Sequence, residues 1–294
     1  MNLAIDWTVD SQLIDGWSTP NLYGLLFVGG MILGYYIVKR MFKNEGIPES
    51  YLDKLLLYVV PATVIGARLG HVFFYGPYWD VKDSAGRIIE YGYLDHPETI
   101  FKVWEGGLAS HGAAIVILIV LYFYSKNIVK RPMLWILDRV VIAIAIAGCF
   151  IRLGNLVNHE IIGTPTNLPW GFNFFYAGSE YLVDGKVVPR HPSQLYESIC
   201  YLITFIVLYR MYWKSNAKQI PGRIFGMFMI LIWSARFFIE FIKEGQNAND
   251  AVWFLKTGQL LSIPFVILGF YLVFRKISEK EQKTFDDAMS QPLK

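Results

Sequence analysis

The chain runs Val140-Val-Ile-Ala-Ile-Ala-Ile-Ala-Gly-Cys-Phe-Ile151 without a charged side chain and continues directly as Arg152-Leu-Gly-Asn-Leu-Val-Asn-His-Glu160. The first part is apolar enough to lie in hydrocarbon, and the second gathers an arginine, two asparagines, a histidine and a glutamate. An ionisable group beside hydrocarbon costs kilocalories unless it is paired or binds a polar ligand. This junction therefore predicts a membrane-spanning helix that ends in polar head-group chemistry at the membrane surface.

The composition of the whole chain agrees with a membrane protein. Its 294 residues are 54% hydrophobic and only 17% charged, and the mean hydropathy is +0.36. A soluble domain carries about a quarter charged residues. Cys149 and Cys200 both lie in apolar runs, so they are predicted to be buried small side chains rather than a disulfide or a metal pair.

Seven runs are long and apolar enough for membrane-spanning helices, which need about 20 residues each. They are Leu22–Val38, Leu55–Tyr75, Leu108–Tyr124, Met133–Ile151, Ser198–Trp213, Ile224–Ile242 and Gln259–Phe274. Arg68 and His71 interrupt the second run, and the sixth contains Arg236 and Glu240. The expected fold class is all-α, a polytopic integral membrane protein with about seven transmembrane helices and a small external, periplasmic-side head.

Lysines and arginines are concentrated on alternate connections between these runs. The connections after the first, third, fifth and seventh runs, together with the adjoining ends of the runs, hold 17 of the 27 basic residues. They are Lys39, Arg40, Lys43 and Lys54; Lys126, Lys130, Arg131 and Arg139; Arg210, Lys214, Lys218 and Arg223; and Arg275, Lys276, Lys280, Lys283 and Lys294. Because basic residues mark cytoplasmic connections, the N-terminus is predicted outside and the C-terminus in the cytoplasm.

This topology sends three long loops to the outer side, at about residues 76–107, 152–197 and 243–258. We expect a single membrane domain over residues 1–294, with residues 152–197 inserted as an external head and residues 275–294 forming a cytoplasmic tail. Within the head, Tyr181–Val188 predicts a short hairpin around Asp184-Gly185.

Polar clusters lie at or near the outer ends of the spans, so the topology brings them to one side of the membrane. Besides Arg152–Glu160 they comprise Gly106–Gly112, Arg190–Glu197, the pair Arg236 and Glu240, and Tyr23 at the start of the first span.

The arginines of these clusters predict a phosphate site. A guanidinium carries five donors in a fork that matches phosphate, so Arg152 and Arg236 are expected to hold one phospholipid phosphate from two sides. The alternatives are an i,i+4 ion pair between Arg236 and Glu240 and an interfacial anchoring role for Arg152. Arg68 is expected to make a structural pairing.

His111 is the candidate base, because histidine is the side chain best suited to move protons near neutral pH. A structural role is the alternative for His111, and equally for His159 and His191. The amides of Asn155 and Asn158 suit glycerol hydroxyls, or else cap helix ends. The sequence contains neither the spacing of a metal site nor a nucleophile motif. The site is therefore predicted to lack a nucleophile of its own.

The chain resembles the prolipoprotein diacylglyceryl transferases, whose signature is similar to Arg152-Leu-Gly-Asn-Leu-Val-Asn-His-Glu160-Ile-Ile-Gly163. Further similar stretches are Tyr23-Gly24-Leu, Gly66-Ala-Arg-Leu-Gly-His-Val-Phe-Phe-Tyr75, Gly106-Gly-Leu-Ala-Ser-His111-Gly112, Arg190-His-Pro-Ser-Gln-Leu-Tyr-Glu197, Arg236-Phe-Phe-Ile-Glu-Phe241 and Gly258-Gln-Leu-Leu-Ser-Ile-Pro264. They follow in order from the first span to the seventh, so the resemblance covers nearly the whole chain. The chain departs from the family pattern at His71, at Ala113 and in the long region 79–93.

The resemblance implies an enzyme that moves the diacylglyceryl group of phosphatidylglycerol onto the lipobox cysteine thiol of a preprolipoprotein. Glycerol 1-phosphate is released in this first step of lipoprotein maturation. The implied location is the bacterial cytoplasmic (inner) membrane. The implied partners are phosphatidylglycerol, the preprolipoprotein signal peptide and membrane lipids, with no nucleic acid, no metal and no organic cofactor.

Candidate site residues follow from the clusters and the resemblance together. His111 and Arg236 match the family positions regarded as most nearly essential, and Arg152 matches a phosphatidylglycerol-binding arginine. The candidate catalytic residues are His111, Arg236 and Tyr23. The candidate substrate-binding residues are Arg152, Asn155, Asn158, Glu160, Gly163 and Glu240.

The predicted mechanism is a direct displacement by the substrate thiolate. His111 acts as the base, while Arg152 and Arg236 stabilise the charge that grows on the leaving phosphate. The alternatives are a phospholipase that uses water in place of the thiol, and a lipid flippase or transporter. A flippase predicts polar groups that continue to the cytoplasmic side, whereas the polar clusters of this sequence gather on the outer side.

Overall fold

A computed structural model describes residues 4–14, 16, 20–103, 106–245 and 254–291. Helices predominate in these residues. The strands are β1 (Ile5–Trp7), β2 (Val81–Lys82), β3 (Ile88–Glu90) and β4 (Phe172–Phe174). The helices are α1 (Leu22–Asn44), α2 (Glu49–Phe74), α3 (Ser110–Phe123, continued as a π-helical turn Tyr124–Val129), α4 (Met133–Val157), α5 (Ser193–Lys214), α6 (Arg223–Ile239), α7 (Thr257–Phe274) and α8 (Glu279–Ser290). Short 3₁₀ turns cover Pro97–Phe101, Ser179–Tyr181, Asn216–Gln219 and Glu240–Ile242.

The helices α1 to α7 are each long and apolar enough to cross a membrane, counting the turns that extend α3 and α6. The prediction of a mainly helical, multi-pass membrane protein with seven spans is therefore confirmed. Several helices run past the apolar runs: α1 continues to Asn44, α2 begins at Glu49, α4 continues to Val157 and α5 begins at Ser193. Helical structure persists through these polar turns because it pairs the backbone groups internally at the edge of the hydrocarbon.

The chain divides into two compact units. The first comprises residues 1–41 and 137–284 and contains most of α1 and α4 together with β4, α5, α6 and α7. The second comprises residues 42–136 and 285–294 and contains α2, α3 and the hairpin of β2 and β3. Within the first unit α6 packs along α7, and within the second α2 packs along α3.

Glycines set the close approach of both helix pairs. In the second unit a Cβ on Gly66 would lie 2.7 Å from the Gly112 carbonyl oxygen, and a Cβ on Gly70 would lie 2.7 Å from Gly112 Cα. In the first unit a Cβ on Gly226 would lie 2.9 Å from the carbonyl oxygen of Gly269. Small residues at such crossings let membrane helices gain backbone packing in the absence of a hydrophobic driving force.

The head is defined here as residues 158–192 together with β1. β1 pairs in parallel with β4, so that Ile5 lies opposite Phe172 and Trp7 opposite Phe174. Phe172 and Phe174 form a small buried core with Leu156 and Ile162, and Trp7 packs against it. The external head at residues 152–197 stays a prediction, and the contribution of the N-terminal strand was not predicted.

The predicted hairpin at Asp184-Gly185 is present as a single antiparallel bridge. Val183 and Lys186 exchange both backbone hydrogen bonds, each of 3.0 Å. Asp184 and Gly185 both have positive φ, +50° and +73°. This is the backbone conformation that makes Asp-Gly the favoured two-residue hairpin turn.

Candidate functional site

The end of α4 positions the polar cluster that follows it. His159 has a φ of +55°, its N–H donates to the Leu156 carbonyl at 3.2 Å, and the Glu160 N–H donates to the Asn155 carbonyl at 2.9 Å. This pattern is a Schellman motif, and it folds Glu160 back over the last helical turn. The Glu160 carboxylate accepts hydrogen bonds from the amides of Asn155 (3.2 Å) and Asn158 (2.9 Å). Both asparagine side chains therefore donate to this carboxylate.

Arg152 begins a chain of charges that joins three helices. Its Nη1 donates to Asn155 Oδ1 at 3.2 Å, and its Nε lies 3.0 Å from Glu197 Oε2 on α5. The other oxygen of Glu197 accepts from Lys243 Nζ at 2.7 Å, and Lys243 Nζ lies 3.7 Å from Glu240 Oε2 at the end of α6. Glu197, Lys243 and Glu240 are only 2%, 3% and 5% exposed. Charges buried to this degree require alternating partners, which this order supplies.

Lys256 and the first turn of α7 close the chain around Glu240. Lys256 Nζ donates to the Glu240 carbonyl at 3.0 Å and also to the Lys243 carbonyl. A Cβ on Gly258 would lie 2.8 Å from the carboxyl carbon of Glu240, so a side chain at position 258 would displace that carboxylate. Burial lowers the pKa of the Lys243 ammonium, although Glu197 beside it acts in the opposite direction.

Arg236 is on α6, one turn before Glu240. Its guanidinium carbon lies 5.6 Å from the centroid of the Trp233 ring, and its buried Nε has no hydrogen-bond acceptor among the described residues. The alternative pairing of Arg236 with Glu240 is not found in the part of the chain that the structure describes, since Glu240 lies beside Lys243 instead. The guanidinium donors of Arg236 are therefore available to a ligand.

The charges of the cluster do not cancel. Among its described residues, four cations, Arg152, Arg236, Lys243 and Lys256, accompany three carboxylates, Glu160, Glu197 and Glu240. The excess of positive charge at a poorly hydrated position favours an anionic ligand.

Tyr23, in the first turn of α1, lies beside the end of α4. A Cβ on Gly154 would lie 2.7 Å from Cδ2 of Tyr23, so the ring occupies the space that a side chain at position 154 would need. The Tyr23 hydroxyl is close enough to Glu160 and Arg152 for both charges to act on it. Asn21 fixes the start of the helix because its Oδ1 accepts a backbone N–H of the first turn at 2.7 Å.

Gly163 and His159 both make close contacts with other parts of the protein. A Cβ on Gly163 would lie 2.5 Å from the His191 carbonyl oxygen and 2.7 Å from that of Ile242, so three backbone segments meet at this glycine. The His159 Nε2 lies 3.0 Å from the Val9 carbonyl oxygen, and its ring packs edge-on to two aromatic rings of the head.

His111 belongs to the second unit, in the first turn of α3, where it is exposed. Its Nδ1 lies 3.5 Å from the Tyr75 hydroxyl, and the two rings are stacked with centroids 6.5 Å apart. His71 is one turn before Tyr75 on α2 and lies 3.0 Å from the Tyr93 hydroxyl through its Nδ1. In the contact between Tyr75 and His111, either the hydroxyl or Nδ1 can be the donor, according to the tautomer of the imidazole.

Arg68 has the structural role that was predicted, but its partners are carbonyls rather than a carboxylate. It donates to the carbonyls of Thr99 (2.5 Å), Ile100 (2.9 Å) and Gly106 (2.7 Å). These bonds hold the segment that leads to His111.

Three members of the charge chain were not identified from the sequence: Glu197, Lys243 and Lys256. Glu197 carried a usable signal, because a carboxylate near the end of an apolar helix requires a partner or a function. Lys243 and Lys256 carried no such signal, since lysines in a connection between helices are ordinary. Only the fold brings them to Glu197 and Glu240.

Comparisons with known proteins agree with the resemblance seen in the sequence. A family model described as prolipoprotein diacylglyceryl transferase matches residues 15–275. A phosphatidylglycerol–prolipoprotein diacylglyceryl transferase of Tolumonas auensis is 41% identical over 275 residues, covering 93% of this chain and 98% of the relative. Proteins of the same name from Porphyromonas gingivalis (41% over 281 residues, 93% and 95% covered) and Chloroherpeton thalassium (39% over 278 residues, 94% and 96% covered) are similar over the same extent.

Proposed function

Because the chain belongs to the prolipoprotein diacylglyceryl transferase family, we propose that the polar cluster around Arg152 and Arg236 holds the phosphate of phosphatidylglycerol during transfer. The reaction itself, transfer of a diacylglyceryl group from phosphatidylglycerol to a prolipoprotein, is that of the family. The observation that carries the proposal is the guanidinium of Arg236, which stacks on Trp233 and makes no ion pair among the described residues.

The two arginines have different tasks in this proposal. Arg152 is held by Glu197 and Asn155, so it presents its remaining donors from a fixed position. Arg236 donates to no acceptor among the described residues, and it gives the bidentate contact that a phosphate accepts. Tyr23, Asn155, Asn158 and Glu160 lie together at the end of α4 and orient the hydroxyls of the head group. Glu240 balances the charge of Lys243. Gly163 allows the close contact of its backbone with those of His191 and Ile242.

The chemistry is a displacement at the glyceryl carbon that carries the phosphate. A new carbon–sulfur bond forms from the lipobox cysteine, and the bond between that carbon and the phosphate oxygen breaks. The electron pair leaves with glycerol 1-phosphate. Arg152 and Arg236 stabilise the charge that develops on the leaving oxygens, and fixed donors of this kind contribute strongly where water is scarce.

His111 is assigned as the base that takes the thiol proton. The thiolate is the reactive form, and a free cysteine has a pKa of about 8.5, so a base increases its fraction at neutral pH. His111 is exposed in the first turn of α3, which supports this assignment because a substrate thiol can reach the ring.

The location that fits this chemistry is the bacterial cytoplasmic (inner) membrane. The charge distribution supports an outward-facing site, with the N-terminus outside and the C-terminus in the cytoplasm. The acceptor in this scheme is the lipobox cysteine that follows the signal peptide.

The arginine assignment is tested with Arg236→Gln and Arg236→Lys in a transfer assay from phosphatidylglycerol to a lipobox peptide. Removal of one fixed donor group costs about 10²–10³ in rate, so we expect kcat to fall by that order for Arg236→Gln and less for Arg236→Lys. Arg223→Gln, at the other end of α6, is the matched control and keeps wild-type activity. Near wild-type kcat for Arg236→Gln would remove Arg236 from the site.

The base assignment is tested with His111→Gln over a pH series. General-base catalysis contributes about 10²–10⁴ in rate, so transfer at neutral pH should fall by that order and recover toward high pH, where the peptide thiol ionises unaided. Near wild-type activity at neutral pH would end the assignment.

A further inference from the structure

A second group of cations lies at the opposite ends of α1 and α5 from the polar cluster of α4. The guanidinium carbon of Arg40 is 5.0 Å from the centroid of the Trp213 ring, and Lys218 Nζ is 6.0 Å from the same centroid. Lys218 Nζ is also 5.0 Å from the Tyr212 ring, and Arg40 Nη1 donates to the Tyr209 hydroxyl at 2.9 Å. Two positive charges therefore converge on one indole.

These two cations lack an acidic partner within the described ranges. The ion pairs found there involve other basic residues, and neither the Arg40 guanidinium nor the Lys218 ammonium has a further hydrogen bond or ion pair within these ranges. The single hydrogen bond to Tyr209 leaves most of the guanidinium donors, and all three ammonium donors, without a described acceptor. Because like charges repel, an anion that accepts from both side chains is favoured at this position.

Buried polar contacts hold the frame of this cation pair. Tyr212 is fully buried and donates to the Met41 carbonyl at 3.3 Å, which ties the ends of α1 and α5 together. Arg139, 1% exposed, donates to the Lys218 carbonyl at 3.4 Å. The Ser215 hydroxyl accepts the N–H two residues on at 3.1 Å and turns the chain so that Lys218 returns over the rings. The two charges are thus held in place.

We propose that Arg40, Lys218 and Trp213 form a binding site for the phosphodiester of an anionic phospholipid, in the leaflet opposite the one that serves the transfer site. The ends of membrane-spanning helices lie at head-group depth, where indole and phenol rings are favoured. Phosphatidylglycerol, the lipid that this family uses, has one phosphodiester and one negative charge, and it is the occupant to which we commit. A lipid in this site is bound and is not a substrate.

The test counts the lipids that the full-length protein retains from dioleoylphosphatidylglycerol, measured by native mass spectrometry after purification in detergent. The test variant is Arg40→Gln combined with Lys218→Gln. The matched control is Arg210→Gln combined with Lys214→Gln, which removes the same charge from exposed positions of the same region. Loss of one charged hydrogen bond is worth roughly tenfold in affinity. The test variant loses two such bonds, so we expect one retained phosphatidylglycerol to bind about a hundredfold more weakly in it and normally in the control.

Two further arms identify the ligand. Inorganic phosphate at millimolar concentration should not displace the retained lipid, and dioleoylphosphatidylcholine should not replace it. Equal loss in test and control variants, displacement by phosphate, or equal retention of phosphatidylcholine would each overturn the proposal. If the double variant fails to fold, Lys218→Gln alone is measured against Lys214→Gln, with an expected difference of about tenfold.

Discussion

Glu197 is a single carboxylate that bridges two cations, the buried Lys243 and the half-buried Arg152. One oxygen lies 3.0 Å from Arg152 Nε and the other 2.7 Å from Lys243 Nζ. Removing its charge would leave both cations to be stabilised by weaker partners in a poorly hydrated region. Glu197 therefore acts through Arg152, as a residue that positions it, and also contributes to stability.

This gives a prediction for Glu197→Gln. Because breaking a buried pair from one side costs about 3–5 kcal/mol, we expect the free energy of unfolding in detergent to fall by about 3 kcal/mol and the KM for phosphatidylglycerol to rise. Glu180→Gln, at an exposed position of the head, is the control. Equal unfolding curves and equal KM values for the two variants would contradict the role given to Glu197.

The sequence predicts individual site residues where the residues next to them in the chain make them stand out. Arg152, Asn155 and Glu160 stand out because they follow an apolar run directly. The pairing state of Arg236 could not be predicted, since i,i+4 spacing permits the contact with Glu240 without requiring it. The partner that Glu240 has instead, Lys243, is placed by the 3₁₀ turn that ends α6.

The pairing of α2 with α3 depends on backbone contact. Gly66 and Gly70 are one turn apart on α2, and both lie against Gly112 on α3. His111 directly precedes Gly112, so the crossing also fixes the turn that carries the candidate base.

We predict that Gly70→Ala destabilises the protein by about 1–3 kcal/mol, the cost of inserting a methyl group into a packed contact. Gly29→Ala is the control, because its nearest neighbour would lie 4.0 Å away. There alanine should be neutral or slightly stabilising, as expected from its higher helix propensity. Thermal unfolding of both variants in detergent measures the difference, and a Gly70→Ala protein as stable as wild type would show that α2 and α3 tolerate a wider spacing.

Elements were predictable where a local pattern specifies them. Seven apolar runs and the Asp184-Gly185 turn are such patterns, and all of them appear. Helix ends were less predictable because hydropathy marks the hydrocarbon and not the polar turns that continue α1 and α4. The pairing of β1 with β4 was missed because a three-residue strand has no periodicity to detect, and its partner is distant in the chain.

For the whole molecule, hydropathy and charge together specify a topology. The seven spans are present, and the basic residues cluster on alternate connections. The division into two compact units could not be predicted, because it depends on which helices pack together rather than on any pattern along the chain.

The proposed orientation can be tested by cysteine labelling in cells, in a background where Cys149 and Cys200 are replaced by alanine. Asp184→Cys, in the head hairpin, should react with a membrane-impermeant maleimide in intact cells. Lys280→Cys, in α8, should react only after permeabilisation. The reverse pattern would place the transfer site on the cytoplasmic face and contradict the charge-based topology.

The parallel pairing of β1 with β4 has a consequence for biosynthesis. Asp6 and Asn173, joined by a 2.7 Å side-chain hydrogen bond, are separated by 167 residues. At ribosomal speeds of about 5–20 residues per second, the first strand waits on the order of ten seconds for its partner to be made. During that interval four helices are synthesised, and the core around Trp7 stays incomplete. The head is therefore completed late, when the N-terminal strand pairs with β4. A protein fused to the N-terminus would act on this last folding step.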